Sequence, residues 1–203
     1  MEYYELHPVT PQLRYINKAV EVLKNGGLII YPTDTVYGIG CDIYNKQALE
    51  KVFQIKNDSE SKLFSFVCPN LKDIAKYAKV SDYAYRTMKH LLPGPYTFIL
   101  PAAKLVPKLL WSRRKTVGIR VPNNPIALKL VEEFGAPIIS TSTTSRKGNI
   151  LIDPFEIKNV FNSQVDLMLA SGSLNGRPSS IINLSEEKPE VIREGAGDVS
   201  LFV

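Results

Sequence analysis

Residues 25–42 read NGGLIIYPTDTVYGIGCD. Gly26 and Gly27 stop the segment before them, and residues 28–31 form a short apolar run of strand length that Pro32 ends. A turn at Asp34 then leads into a second strand over residues 36–41. Thr33, Asp34 and Thr35 thus present two hydroxyls and an acceptor where a buried strand ends. In open α/β sheets that is where ligands bind. The same residues also suit an Asx or ST turn that satisfies only its own backbone.

Outward from this block, helices and strands alternate. Upstream, Thr10 is expected as N-cap and Pro11 as the first helical residue, with Leu13, Ile16, Val20 and Leu23 as the apolar stripe. Downstream, Asn45 caps a helix carrying Leu49, Val52, Phe53 and Ile55, and residues 63–67 form a strand. Asn70 and Ser81 open two further helices. Strands follow over 96–100 and 116–121, with a turn or short helix over 104–110 between them. Asn124-Pro125 starts a helix that Gly135 ends, and residues 137–141 form a strand. Asp153-Pro154 caps a last helix before short strands over 166–170, 180–184 and 191–193. This order predicts an α/β (α+β) fold with a mixed sheet, and one domain spanning residues 1–203.

Composition narrows the function classes. The chain has 203 residues, 44% hydrophobic and 22% charged, enough apolar material for a sizeable core. Its net charge of +5 favours anionic partners. Cys41 and Cys68 lie in apolar settings, and His7 and His90 are isolated, so neither a zinc site nor a Cys/His catalytic pair is expected and no metal ligands are assigned. The opening residues, MEYYELHPVT, lack a secretory pattern, and the apolar runs fall far short of the roughly 20 residues that span a bilayer. A reduced, cytoplasmic protein without membrane association is expected.

The common nucleotide and hydrolase motifs fail. Gly38-Ile39-Gly40 lacks the third glycine of a dinucleotide fingerprint, Gly172–Gly176 is followed by Arg177-Pro178 rather than Lys-Ser, and no G-x-S-x-G elbow occurs. What remains is a set of cations and hydroxyls at strand ends. Lys56 closes an apolar helix and Lys62 precedes a strand; each could hold an anion or face solvent. Arg120 lies inside the strand TVGIRV, where a lone buried guanidinium is costly. It therefore points out of the sheet or holds a carboxylate or phosphate. Arg193 repeats the pattern in VIREG, and Ser179-Ser180 precede the strand IINL as residues 140–142 close the strand PII.

Taken in order, NGGLIIYPTDTVYGIGCD, the helix ending FQIK, LPGPYTFIL, TVGIRVPNNPIA, PIISTS, RPSSIINL and VIREGAGDV resemble the YrdC/YciO family over essentially the whole chain, with KLVPKLL and REGAGDV closest to its YciO branch. The resemblance implies a twisted sheet around a large, positively charged concave cavity. It also implies an enzyme of the threonylcarbamoyl-adenylate synthase type. Such an enzyme joins L-threonine, bicarbonate and ATP, with Mg²⁺ accompanying the ATP, and serves N6-threonylcarbamoylation of tRNA adenosine. By resemblance, Thr35, Arg120, Ser142 and Ser179 hold the amino acid, and Lys56, Thr116 and Arg193 lie on the nucleotide side, with Lys56 and Arg120 catalytic. Lys62 and Thr144, which depart from the family's residues, are assigned to the nucleotide side as well. The family's synthases carry Lys-x-Arg and Ser-x-Asn where this chain has Lys56-Asn57-Asp58 and Ser142-Thr143-Thr144. The alternative implied is a binder of tRNA, double-stranded RNA or the ribosome without efficient synthase activity. Arg113, Arg114, Lys115, Arg146 and Lys147 would serve that role.

Overall fold

A computed structural model describes residues 1–56, 64–110, 115–145, 147–186 and 188–202. Lys62, Asp58, Arg113, Arg114 and Arg146 lie outside the described residues. The strands are β1 (Glu2–Glu5), β2 (Ile29–Tyr31), β3 (Gly38–Asp42), β4 (Ser65–Val67), β5 (Tyr96–Pro101), β6 (Thr116–Arg120), β7 (Ile138–Ser142), β8 (Leu167–Ala170), β9 (Ser180–Asn183) and β10 (Glu190–Arg193). The helices are α1 (Leu13–Lys24), α2 (Lys46–Ile55), α3 (Leu71–Tyr77), α4 (Asp82–Leu91), α5 (Pro125–Phe134) and α6 (Pro154–Phe161). The strands form one mixed sheet in the order β1-β8-β2-β3-β7-β4-β6-β5-β9-β10. β2 and β3, the two strands of the opening block, pair antiparallel as the third and fourth strands of that order.

Local chemistry explains most of the helix ends. Asn45, Asn70, Ser81, Asn124 and Asp153 each accept a backbone N–H of the first turn of their helix. Gly135 closes α5 with φ 77°, where a side chain would be strained. The first helix departs from expectation. It starts at Leu13 with Gln12 at the cap position and no side-chain cap bond. Thr10 is held elsewhere: its N–H donates to His7 Nδ1 at 3.1 Å, and its hydroxyl lies 3.0 Å from the same nitrogen. A local turn thus competes successfully for the expected cap.

Strand alternation divides the core in two. Ile30, Ile39, Phe66, Phe98, Ile119, Ile139 and Met168 belong to one cluster, which also takes Ala48, Leu49 and Val52 of α2, Met88 of α4 and Ile157 of α6. Ile29, Tyr31, Val67, Ile138, Leu167 and Leu169 face the opposite way, onto Ile16, Val20 and Leu23 of α1 and Ile126 and Leu130 of α5. On this second face the apolar positions give way to small and hydroxylated ones. Ser65 pairs with both Ser140 and Gly118, and Gly38 pairs with Ser142. That stretch of sheet is the floor of an open cavity. No helix among the described residues is long and apolar enough to cross a membrane.

Burial also makes the fold pH-sensitive. It raises the Cys41 thiol and pushes the Cys68 thiol and the Tyr31 phenol up to about 12. An unfolded chain surrenders the two thiol protons from about pH 9, whereas the folded chain keeps them. The folded state binds more protons in that window. The thiols' contribution to stability is therefore constant below pH 8 and falls by about 1.4 kcal/mol per pH unit for each thiol between roughly pH 9 and 12. Urea unfolding at pH 8 and pH 10.5 checks the sign and the size.

Candidate active site

The cavity measures about 940 Å³. This lies toward the upper end of the roughly 300–1,000 Å³ usual for small-ligand sites. Its described lining carries Lys56, Arg120 and Arg193 together with Thr33, Ser65, Thr97, Ser140, Ser142, Thr144 and Ser179, and no carboxylate. The sequence-derived candidates Lys56, Arg120, Ser142, Thr144, Ser179 and Arg193 are thus brought together. Thr116 is not among the lining residues. It opens β6 opposite Pro101, four residues before Arg120, or about 13 Å along the strand.

Arg120 resolves the dilemma of a strand arginine by an internal ion pair. Its NH2 donates to Asp34 Oδ1 at 2.5 Å, Thr35 Oγ1 at 2.6 Å and Thr33 Oγ1 at 3.1 Å. Asp34 Oδ2 accepts the Asn123 N–H at 3.0 Å. Both side chains are nearly closed to water, at 7% and 10% exposure. The residues PTDT therefore combine the two readings open in the sequence. Thr33 closes an ST turn, accepting the N–H groups of Thr35 and Val36 and donating to the Val36 carbonyl at 2.6 Å. Asp34 and Thr35 turn to the guanidinium. Thr35, expected to touch the amino acid, is 1% exposed and not among the lining residues, and its hydroxyl accepts from Arg120.

Lys56 is the C-cap residue of α2, and its Nζ crosses to the end of β7. It donates to the Ser142 carbonyl at 2.6 Å and to Thr144 Oγ1 at 2.7 Å. Thr143 between them is buried, and its hydroxyl lies 3.2 and 3.1 Å from the carbonyls of Tyr37 and Leu151, which share its one proton. The hydroxyl-rich run after β7 is thus pinned at Thr143 and presents Ser142 and Thr144 to the cavity.

Arg193 reaches the cavity through a β-bulge. Val191 pairs with Ile182, but Arg193, two residues on, pairs with the adjacent Ile181. Ile182 belongs to the apolar core, whereas Ile181 lines the cavity. The extra residue therefore turns Arg193 to the cavity face. Its Nε and NH2 fork onto the Ser179 carbonyl at 3.0 and 2.8 Å, and Ser179 Oγ lies 2.9 Å from Thr97 Oγ1. Although the residue as a whole is exposed, loss of water contact, and then the charge of Arg120, lower its proton affinity. Two cations that repel across an open space suit an anion bound between them.

The segment after Arg193 holds this corner in place. Gly195 N donates to Ser180 Oγ at 2.9 Å, Ala196 N to the Pro178 carbonyl at 2.8 Å, and Ser180 Oγ to the Gly197 carbonyl at 2.6 Å. A Cβ on Gly195 would lie 2.3 Å from the Pro178 oxygen. Gly195→Ala is therefore expected to cost about 1–3 kcal/mol, as overpacking does. That is a fall in Tm of roughly 2–12 °C, read by calorimetry.

Sequence reasoning placed Ser140 in the hydroxyl cluster that closes the strand PII but gave it no role, and it missed Ser65 and Thr97. Two-residue alternation places Ser140 beside Ser142 on β7, which was a usable signal. Thr97 carried none, because it joins the site only through the parallel pairing of β5 with β9.

Comparison with known proteins follows the same lines. The Sua5/YciO/YrdC family model, described as "Telomere recombination", matches residues 21–195. The chain is 43% identical to the protein YciO of Escherichia coli K12 over 204 residues, covering 100% of this chain and 99% of that one. The crystal structure of E. coli YciO superposes with a TM-score of 0.96 at 42% identity, covering all of both chains. A threonylcarbamoyl-AMP synthase of Pseudoalteromonas translucida is 35% identical over 153 residues, which is 74% of this chain and 82% of the relative. The structure of P. abyssi Sua5 complexed with L-threonine superposes with a TM-score of 0.90 at 25% identity, over 96% of this chain and 58% of that one. Matched from Glu21 to Gly195, and shared end to end with YciO in sequence and in fold, the chain belongs to the Sua5/YciO/YrdC family.

Proposed function

We propose that the cavity joins L-threonine, bicarbonate and ATP into threonylcarbamoyl-AMP with release of pyrophosphate. The observation that carries this reading is the convergence, among the described lining residues, of three cations and a ring of hydroxyls without a carboxylate on one cavity large enough for two ligands. The family's threonine-bound Sua5 and its threonylcarbamoyl-AMP synthases support it. The threonine amine takes up CO2 from bicarbonate as a carbamate. A carbamate oxygen attacks the α-phosphorus of ATP, the bond from that phosphorus to the bridging oxygen breaks, and pyrophosphate leaves. No covalent nucleophile on the protein is needed. The work is to align two anions and spread charge in the transition state. Arg120 and Ser179 serve the amino acid, with Ser142 beside them. Lys56, Thr144 and Arg193 serve the phosphates.

Magnesium enters this scheme on the triphosphate rather than from a protein site. The described residues hold no cluster of His, Cys, Asp or Glu fit for a metal, and Asp34 spends both oxygens on Arg120 and Asn123. Hard cations of this kind commonly keep waters and phosphate oxygens as ligands. The test is isotopic: with ¹³C-bicarbonate, ATP and L-threonine, mass spectrometry should show an adenylate carrying both threonine and the labelled carbon. A spectrum without it contradicts the reading.

A second reading is an RNA-binding protein that keeps the cavity without efficient synthesis. It is favoured by the net charge of +5, which suits a polyanionic partner. It requires tRNA or double-stranded RNA affinity that falls steeply with salt. Binding that is absent, or indifferent to salt, counts against it.

A further inference from the structure

We propose that Asp34 is a built-in counter-ion that positions Arg120 and makes the cavity floor selective for a single carboxylate over phosphate. The inference rests on the reading of this cavity as an amino-acid and nucleotide site, and it deepens that reading. It adds a residue that lies outside the lining and touches no ligand.

The observations are geometric. Arg120 NH2 is surrounded by three oxygens, from Thr33, Asp34 and Thr35, so that arm has no proton left for a ligand. Asp34 cannot swing away freely, because its second oxygen accepts the Asn123 N–H. The pair is nearly closed to water, where a charge without its partner is costly. Arg120 Nε is buried without a hydrogen-bond partner among the described residues, so it too is closed to an incoming group. Arg120 nevertheless lines the cavity, and a ligand meets what remains of the guanidinium.

The consequence is a division of the cavity by charge. At the floor, the carboxylate of Asp34 offsets part of the guanidinium charge, so an anion of higher charge is held less favourably there than at an uncompensated cation. A carboxylate with one charge meets the part of Arg120 that lines the cavity at little cost. A phosphate group with two or more charges meets Asp34. At Lys56 and Arg193 no carboxylate is present in the described lining, so phosphates are drawn there. One acidic residue thus weights the floor of the cavity toward the amino acid.

Calorimetric titration of the intact protein with L-threonine and, separately, with inorganic pyrophosphate tests this. The wild type should bind both. Asp34→Asn keeps the shape and removes the charge. It should tighten pyrophosphate binding about tenfold or more and shift the threonine-to-pyrophosphate preference by at least that factor. The double variant Asp34→Asn, Arg120→Gln removes both charges of the pair together. It should lose threonine binding while holding pyrophosphate within about threefold of wild type. That variant also decides the matter if Asp34→Asn alone does not fold. An unchanged preference in Asp34→Asn overturns the proposal, as does loss of pyrophosphate binding in the double variant or a wild type that does not bind threonine. Selectivity that shifts in a protein making no threonylcarbamoyl-AMP leaves this inference standing and removes the synthase reading. Product formed by a protein whose selectivity ignores Asp34 does the reverse.

Discussion

Arg120→Ala is expected to cripple the protein twice. It strips the cation from a carboxylate that is only 10% exposed, and breaking a buried pair on one side costs about 3–5 kcal/mol. For a chain of this size that is a fall in Tm of roughly 6–20 °C. It also empties the floor of the cavity, so the KM for threonine should rise and turnover should drop by about 10²-fold or more, as when an oriented charge-bearing donor is removed. Calorimetry and a steady-state threonine titration separate the two effects. Arg120→Lys should recover part of the stability and little of the catalysis. An ammonium can neutralise Asp34 but cannot span Thr33, Asp34 and Thr35 with the geometry of a guanidinium.

Lys56→Ala should separate catalysis from stability in the opposite sense. The ammonium bridges α2 and the end of β7 through the Ser142 carbonyl and Thr144 Oγ1. Losing hydrogen bonds of this kind at a half-buried site costs about 1 kcal/mol. On the phosphate side of the cavity the loss is larger: turnover is expected to fall about 10²–10³-fold, with threonine binding little changed. Titration of ATP against the variant, alongside calorimetry of threonine binding, checks both halves. A loss of threonine affinity equal to that of Arg120→Ala would place Lys56 at the wrong end of the cavity.

Much of the fold was legible in the sequence because its punctuation is chemical. Asn45, Asn70, Ser81, Asn124 and Asp153 announce helix starts by the side-chain oxygen each contributes, and all five cap as expected. Thr10 did not, because His7 lies close enough in the chain to take its N–H, and propensity alone cannot rank two local partners. The sheet order was not legible. It brings β7 between β3 and β4, and β9 beside β5, through pairings distant in sequence.

The site was legible in part for the same reason. Lys56, Ser142, Ser179 and Arg193 stand out as polar residues at strand or helix ends, and tertiary pairing gathers them. Arg193 reaches the cavity only through a bulge, and a two-residue alternation cannot foresee an inserted residue. Thr35 and Thr116 show the opposite limit. Each sits in a motif that resembles a ligand-binding one, yet Thr35 is spent on Arg120 and Thr116 is carried along β6 away from the lining. Asp34 was visible as an acceptor, but its partner stands 86 residues further along the chain, and no local pattern connects the two.

The most direct test of the synthase reading is pyrophosphate release from ATP by the wild-type protein, with and without L-threonine and bicarbonate, beside Lys56→Ala and Arg120→Ala. Release that requires both co-substrates, and that falls at least about 10²-fold in each variant, is the result expected. Release that ignores threonine, or that stays at the level of the two variants, would contradict it.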